Sequence, residues 1–282
     1  MILVTGATGN VGAEVVRLLG DAGYTVKAAV RNLDTVTQPA NNVVEYVRFD
    51  FEDPATFCPA FQDINKLFLV RPPAIAQVKR YIHPAIDTAV SAGVKHIVFL
   101  SLLGAEHNPI VPHAKIESHI QSTGIAYTFL RASFFMQNLS TTHRKDIQEH
   151  NEIFVPAGKG KTSFIDVRDI AAVAVKAMIE PGHENQAYSL TANQALDYYE
   201  VAEMFTEVLG KRVVYRNPSL LKFCITMYRR GLDISFVAVM AGIYTTARLG
   251  LAAKVTTDVE NILQRPPIGM QQFINDYREC WL

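Results

Sequence analysis

Ile2-Leu3-Val4-Thr5-Gly6-Ala7-Thr8-Gly9-Asn10-Val11-Gly12 opens the chain with three apolar residues that run into glycines spaced G-x-x-G-x-x-G. The apolar run reads as a short buried strand. Behind it Val11, Val15, Val16, Leu18 and Leu19 recur at helical spacing, with Gly23 as the C-cap. Each glycine has a mechanical use in such a strand–turn–helix unit. Gly6 makes the tight turn, Gly9 lets a diphosphate approach bare backbone, and Gly12 lets the helix pack close to the strand. An anion at that helix start meets unsatisfied N–H groups and the positive end of the helix dipole. The stretch is therefore read as the phosphate loop of a dinucleotide site, with Thr8, Asn10 and Val11 counted in it beside Gly6, Gly9 and Gly12. The spacing is not the G-x-G-x-x-G of many dehydrogenases, so the strand before and the helix after carry the reading.

Outward from this loop the rhythm is regular. Strand-like runs follow at Thr25–Val30, Val44–Arg48, Lys66–Val70, His96–Leu100 and Tyr127–Arg131. Helical patterns lie among them at Gly12–Asp21, Pro54–Phe61, Val78–Ala92 and Ala114–Thr123. Such alternation predicts an α/β fold, a Rossmann-like doubly wound parallel sheet with helices on both faces. Ser163–Ile170 reads as the beginning of a further helix, with Asp166 as its cap. From about Ala192 the pattern changes to helices at Tyr198–Leu209, Pro218–Arg229, Ser235–Arg248 and Thr257–Leu263, with a short strand at Arg212–Tyr215. Two domains are expected: 1–190, a Rossmann-like nucleotide-binding domain, and 191–282, a smaller, mostly helical part that shapes a substrate pocket.

Bulk properties exclude several classes. The chain has 282 residues, 49% of them hydrophobic, so burial is not limiting and disorder is not expected. Its 27 basic and 27 acidic side chains give zero net charge, and no basic patch suggests nucleic acid. Cys58, Cys224 and Cys280 have neither C-x-x-C nor metal-ligand spacing, so no metal is expected and the thiols read as reduced and cytoplasmic. The first strand stands at the N-terminus, so no cleavable signal is expected. The longest uncharged stretch near the C-terminus, Ile234–Ala247, is too short to span a bilayer and reads as a buried or pocket-lining helix. The expected partner is a small-molecule substrate, for a monomer or homodimer.

Chemistry is expected at the carboxyl ends of the strands, where open α/β sheets bind ligands. Arg31 stands at the end of the second strand, 19 residues after Gly12. An acid there takes ribose hydroxyls; an arginine suits a 2′-phosphate, so NADP(H) is expected over NAD(H). Asp50 follows the third strand and can accept from the adenine amino group, with the Phe51 N–H in reach; capping together with Asp53-Pro54 is the alternative. Val70-Arg71-Pro72-Pro73 ends the fourth strand above the cofactor. Arg71 either touches cofactor or substrate or is solvated, and the residues leave both open.

Ser101 ends the fifth strand and faces the nicotinamide end. Fourteen residues on, Lys115 lies in the first turn of a helix. A short-chain dehydrogenase pairs this lysine with a tyrosine four residues earlier, but that position is Val111, and none of the eleven tyrosines precedes a lysine by four. Lys115 can act as an ammonium that holds ribose or stabilises an oxyanion, or, if buried, as a proton shuttle. The bland alternative is a surface lysine near Glu117. His113 is a second candidate proton donor. Past the sixth strand, Phe134 and Met136, with Phe164 later, suit the wall of an apolar pocket, against plain core packing.

Four blocks together resemble the NmrA-like group of atypical short-chain dehydrogenases/reductases. They are Val4–Gly12, Val98–Ser101, Lys115–Asn138 with Gly124-Ile125-Ala126-Tyr127-Thr128 at its centre, and Phe164–Ala171. Phe68–Pro73 and Gly269–Phe273 are similar to type 2 quinone oxidoreductases and festuclavine-dehydrogenase-like reductases. The resemblance implies an NAD(P)H-dependent oxidoreductase that passes hydride to a quinone or other conjugated acceptor. It also implies a catalytic role for Lys115, by likeness to isoflavone-type reductases. The same family contains NADP-binding redox sensors without clear catalysis, and Val111 matches the family's departure from the tyrosine rule.

Overall fold

The computed structural model describes residues 1–37 and 43–282. In chain order the strands are β1 (Ile2–Val4), β2 (Val26–Val30), β3 (Val44–Arg48), β4 (Lys66–Leu69), β5 (His96–Leu102), β6 (Ala126–Ala132), β7 (Phe134–Phe135), β8 (Glu152–Ile153), β9 (Thr162–Ile165), β10 (Gln186–Leu190), β11 (Ala195–Leu196) and β12 (Val214–Tyr215). The α-helices are α1 (Asn10–Asp21), α2 (Phe57–Phe61), α3 (Val78–Tyr81), α4 (His83–Ser91), α5 (Pro112–Ser122), α6 (Arg144–His150), α7 (Val167–Ile179), α8 (Tyr198–Leu209), α9 (Leu220–Arg229), α10 (Ile234–Arg248), α11 (Asp258–Leu263) and α12 (Met270–Asp276).

The chain divides into two compact units. The first, Met1–Ala132 with Val167–Leu190, holds a seven-stranded sheet in the order β10-β6-β5-β4-β1-β2-β3, every pairing parallel. This is the doubly wound Rossmann-like order, which reverses at β1 and β4. Buried side chains alternate along the strands. Leu3, Leu67, Leu69, Ile97, Phe99 and Phe129 join a core completed by α2, α4 and α5. The residues between them face the opposite layer, where α1 packs on α7.

The second unit, Ser133–Asp166 with Thr191–Leu282, is mostly helical. It contains the small sheet β11-β9-β7 and the pair β12-β8. Its core gathers Phe205, Phe223, Phe273 and Trp281, and the Trp281 indole N–H donates to the Leu139 carbonyl at 3.1 Å.

Beyond β7, β8, β10, β11, α6 and α12, which the sequence pattern does not announce, the structure differs from the expected elements in three places. Residues 133–166 cluster with the C-terminal residues rather than with 1–132, so the chain passes between units three times instead of once near 190. Ser163–Ile170 is not one helical start: Thr162–Ile165 is the buried strand β9, and α7 begins at Val167. The helix expected over Val78–Ala92 divides at Ile82, because Pro84 has no N–H to return to the preceding turn.

Two buried histidines make stability pH-dependent. Burial is the first cause that pushes both His96 and His143 down to about 4. An unfolded histidine titrates near 6.5. Between these values the unfolded chain binds protons that the folded chain refuses, so stability is full above pH 6.5 and falls as pH drops toward 4. Each histidine contributes on the order of 1–3 kcal/mol to that loss. Urea unfolding at pH 7 and pH 4.5 is expected to show a clear drop in midpoint, and His143→Gln should flatten it.

Candidate active site

The glycine loop has the geometry its spacing predicts. Gly6 takes φ +63°, the left-handed region, and its Cα faces the Val70 side chain. A Cβ on Gly12 would lie 2.1 Å from the Gly6 carbonyl oxygen, so only glycine allows this helix–strand approach. Gly9 is the N-cap of α1, with no side chain capping it and no acid in the first turn. The first helical bond runs from the Ala13 N–H to the Gly9 carbonyl, at 2.9 Å. The N–H groups of Asn10, Val11 and Gly12 therefore have no helical partner. Gly6, Thr8, Gly9 and Asn10 are exposed, whereas Val11 and Gly12 are buried. An exposed loop with unsatisfied donors, a helix dipole behind them and no competing carboxylate fits a dinucleotide diphosphate.

Thr5, whose role no sequence motif announces, ties the switch point together. Its hydroxyl donates to the Phe68 carbonyl at 3.1 Å and accepts from the Val70 N–H at 2.7 Å. The ends of β1 and β4 are thereby fixed side by side beneath the loop.

Arg31 follows β2 directly and is exposed. Asp50 is half-buried, and one carboxylate oxygen accepts from the Glu52 N–H at 3.0 Å, while Asp53, not Asp50, caps the short 3-10 turn Pro54–Thr56. The Phe51 side chain is core, edge-on to Phe49 at 4.9 Å, which leaves its backbone as the only part suited to a ligand.

The α5 helix decides which polar groups meet β5 and β6. Ile116, Glu117 and Ile120 are buried, and His113 lies one turn before Glu117 on that face. Lys115 lies off this face and is exposed. It lines an open groove of about 540 Å³ with Lys79, His83 and His119, in which no residue of the glycine loop takes part. The same groove is lined by Glu117 and Arg131, but no hydrogen bond joins Lys115 to Ser101, and its exposure removes the premise of a proton-shuttling role that needs burial.

Glu117 takes that place instead. Ser101 and Arg131 are register partners on β5 and β6. The Ser101 hydroxyl donates to Glu117 at 2.5 Å, and Arg131 grips the same carboxylate through Nε at 3.1 Å and Nη2 at 2.7 Å. Ser101 is therefore engaged inward rather than presented to a ligand. The signal for Glu117 was the spacing 113, 116, 117, 120, one face of a helix.

His113 stacks against Phe99 with ring centroids 6.1 Å apart. Burial first, and then the Arg71 cation, push it down to about 4, so it is neutral at neutral pH. In the second unit, Met136 and Phe164 are fully buried and Phe164 packs edge-on against Tyr198. They are core side chains; of the three expected pocket residues only Phe134 keeps partial exposure. Among the described residues no group of three or more His, Cys, Asp or Glu is placed to hold a metal, and no helix is long and apolar enough to cross a membrane.

Known proteins share this architecture over nearly the whole chain. The model of the NmrA-like family matches residues 1–247. An NAD(P)H azoreductase of Xenophilus azovorans is 37% identical over 97% of this chain and 96% of its own length. The NADPH-dependent quinone oxidoreductase of Escherichia coli, solved with NADPH, superposes with a TM-score of 0.87 at 27% identity, covering 98% of this chain and 99% of that one. The triphenylmethane reductase of Citrobacter sp., solved with NADP(H), gives 0.85 at 28% identity, covering 100% and 99%.

Proposed function

The chain belongs to the NmrA-like family, and from that premise we propose that it is an NADPH-dependent reductase of quinones or other conjugated small molecules. The observation that carries the reading is the loop Gly6–Gly12, exposed at Gly6, Thr8, Gly9 and Asn10, with the N–H groups of Asn10, Val11 and Gly12 lacking a helical partner. The backbone of Asn10, Val11 and Gly12 holds the diphosphate, aided by the exposed edge of Thr8. Arg31 takes the 2′-phosphate through charge-assisted bonds. The Asp50 carboxylate and the Phe51 N–H receive the adenine, and Val70 forms the floor beside Gly6.

When bound, the nicotinamide supplies a hydride. A conjugated acceptor spreads the resulting negative charge, so it needs less acid catalysis than a simple ketone. The residues agree with that demand. His113 is neutral at neutral pH and offers one ring N–H as a hydrogen-bond donor rather than a full proton. Lys115, outward on α5, is the weaker candidate of the two. Its groove position and the inward engagement of Ser101 favour one second reading, an NADP-binding redox sensor without turnover. We place the protein in the cytoplasm on the strength of three scattered free cysteines, and propose a monomer or homodimer.

The test is NADPH consumption with a panel of quinones, azo dyes, imines and enones, with NADH in parallel. Turnover with NADPH preferred over NADH is expected, and Arg31→Ala should cut that preference about tenfold or more, the size of one lost charge-assisted contact. His113→Ala should lower turnover more than Lys115→Ala. Tight NADPH binding without turnover on any acceptor selects the sensor.

A further inference from the structure

Arg71 is the one residue of the switch point that the cofactor reading does not absorb. It follows Val70, whose side chain abuts Gly6, at the carboxyl end of β4. Its Nη1 is held by three carbonyl oxygens, of Pro72 at 2.9 Å, Pro73 at 3.1 Å and Ile75 at 2.8 Å. The loop Pro72–Ile75 thus fixes the guanidinium in one orientation. Its Nε is buried without an acceptor. No carboxylate stands within ion-pairing distance of it among the described residues, and the neighbouring His113 is neutral and cannot supply a countercharge. A partly buried cation with a fixed orientation and no countercharge has its desolvation offset only through the carbonyl bonds of Nη1. Clamping the loop requires only Nη1. The remaining edge of the fork is suited to an anion, since a guanidinium presents paired donors to phosphate or carboxylate oxygens.

We infer that Arg71 is a preorganised receptor for an anionic oxygen at the crevice between β1 and β4. The inference rests on the proposed dinucleotide reading for the identity of that oxygen. It belongs either to the cofactor diphosphate, which the contact of Val70 with Gly6 favours, or to the acceptor that gains charge during reduction.

Arg71→Gln removes the charge and keeps an N–H donor for the carbonyls; Arg71→Met removes both. NADPH affinity by fluorescence titration, inorganic pyrophosphate affinity by calorimetry, kcat with the best acceptor, and thermal stability are compared with the wild type. If the oxygen is the diphosphate's, both affinities fall tenfold or more in Arg71→Gln while kcat holds. If it is the acceptor's, kcat falls tenfold or more while both affinities hold. Either result supports the receptor, and Arg71→Lys should restore part of the loss. Unchanged affinities and kcat in a folded Arg71→Gln variant would overturn it and leave a loop clamp. Should Arg71→Met fail to fold, Arg71→Gln decides. Arg71-dependent pyrophosphate binding in a protein that ignores NADPH keeps the receptor and sinks the dinucleotide reading. NADPH binding and turnover that are insensitive to Arg71 do the reverse.

Discussion

Gly12→Ala is expected to abolish NADPH binding and to destabilise the protein by about 2–4 kcal/mol, as overpacking of a fixed contact does. The methyl would sit 2.1 Å from the Gly6 carbonyl oxygen, 2.6 Å from its carbon and 3.1 Å from the Ala7 nitrogen. All three are backbone atoms, so no side-chain rotation relieves the clash. Either α1 retreats from β1 or the Gly6 turn opens. Gly6 is already at φ +63° against Val70, so the turn has little freedom to yield. Both responses move the N–H groups of Asn10, Val11 and Gly12, which must converge on one anion to bind it. A rise in the NADPH dissociation constant of about 100-fold or more is therefore expected, equivalent to roughly 2.7 kcal/mol. Gly9→Ala is the control. Its methyl would meet only the Gly6 oxygen, at 3.3 Å, on an exposed surface. It should weaken NADPH with little effect on the urea midpoint, because it blocks the approach of phosphate rather than the packing of the helix. A Gly12→Ala protein with wild-type midpoint and affinity would show that the close approach is not what shapes the loop.

The contrast between these glycines also shows why the nucleotide half was legible in the sequence. Strand, turn and helix lie within about twenty residues there, and each glycine answers a local steric demand. Of the six strands before Ser133, five are largely buried apolar runs, and the edge strand β3, though nowhere fully buried, still carries Val44, Tyr46 and Val47, so periodicity reads all six. The missed strand β10, Gln186-Ala187-Tyr188-Ser189-Leu190, lies at the sheet edge with two exposed residues and no alternation to mark it. The membership of residues 133–166 in the second unit is a matter of which distant residues they pack with. Phe164, for example, bonds backbone to backbone with Ala192 and packs edge-on against Tyr198. No local pattern carries that information. The candidate site divides in the same way. Positions tied to one strand end, such as Arg31, Asp50 and Val70, stand where the spacing put them. Lys115 was placed by likeness to a motif whose tyrosine is absent, and it stands exposed on α5, in a groove it shares with Glu117 and Arg131. Glu117 was legible only from the helical phase shared by His113, Ile116 and Ile120.

Glu117→Ala is expected to cost about 2–4 kcal/mol, below the upper range for breaking a buried ion pair because Arg131 retains a second acid. Glu117 is 5% exposed and accepts from three donors on two strands. Its removal leaves the Ser101 hydroxyl unpaired at 4% exposure and deprives the Arg131 guanidinium of its closest countercharge. Glu106 stands 3.5 Å from Arg131 and compensates in part. The arginine is the member that suffers most, since the Glu117 hydrogen bond is the leading cause that holds its pKa above the ordinary value. The physical claim is thus about a partly buried cation left with only its more distant countercharge, and it can be separated from mere loss of packing. Glu117→Leu fills the volume yet strands the same charge, so it should be nearly as damaging as Glu117→Ala. Glu117→Leu combined with Arg131→Met removes the charge as well and should recover most of the loss, as matched apolar replacements of buried pairs do. A double-mutant cycle by urea unfolding reads the coupling directly, with about 1–3 kcal/mol expected between Glu117 and Arg131. Additive effects would mean that Glu117 acts by packing alone. Because Ser101 and Arg131 sit at the carboxyl ends of β5 and β6, the single variant should also lower turnover, and the double variant should restore stability without fully restoring it. That split would mark the Ser101–Glu117–Arg131 cluster as a positioning device for the strand ends beside His113, not only a fastener of α5.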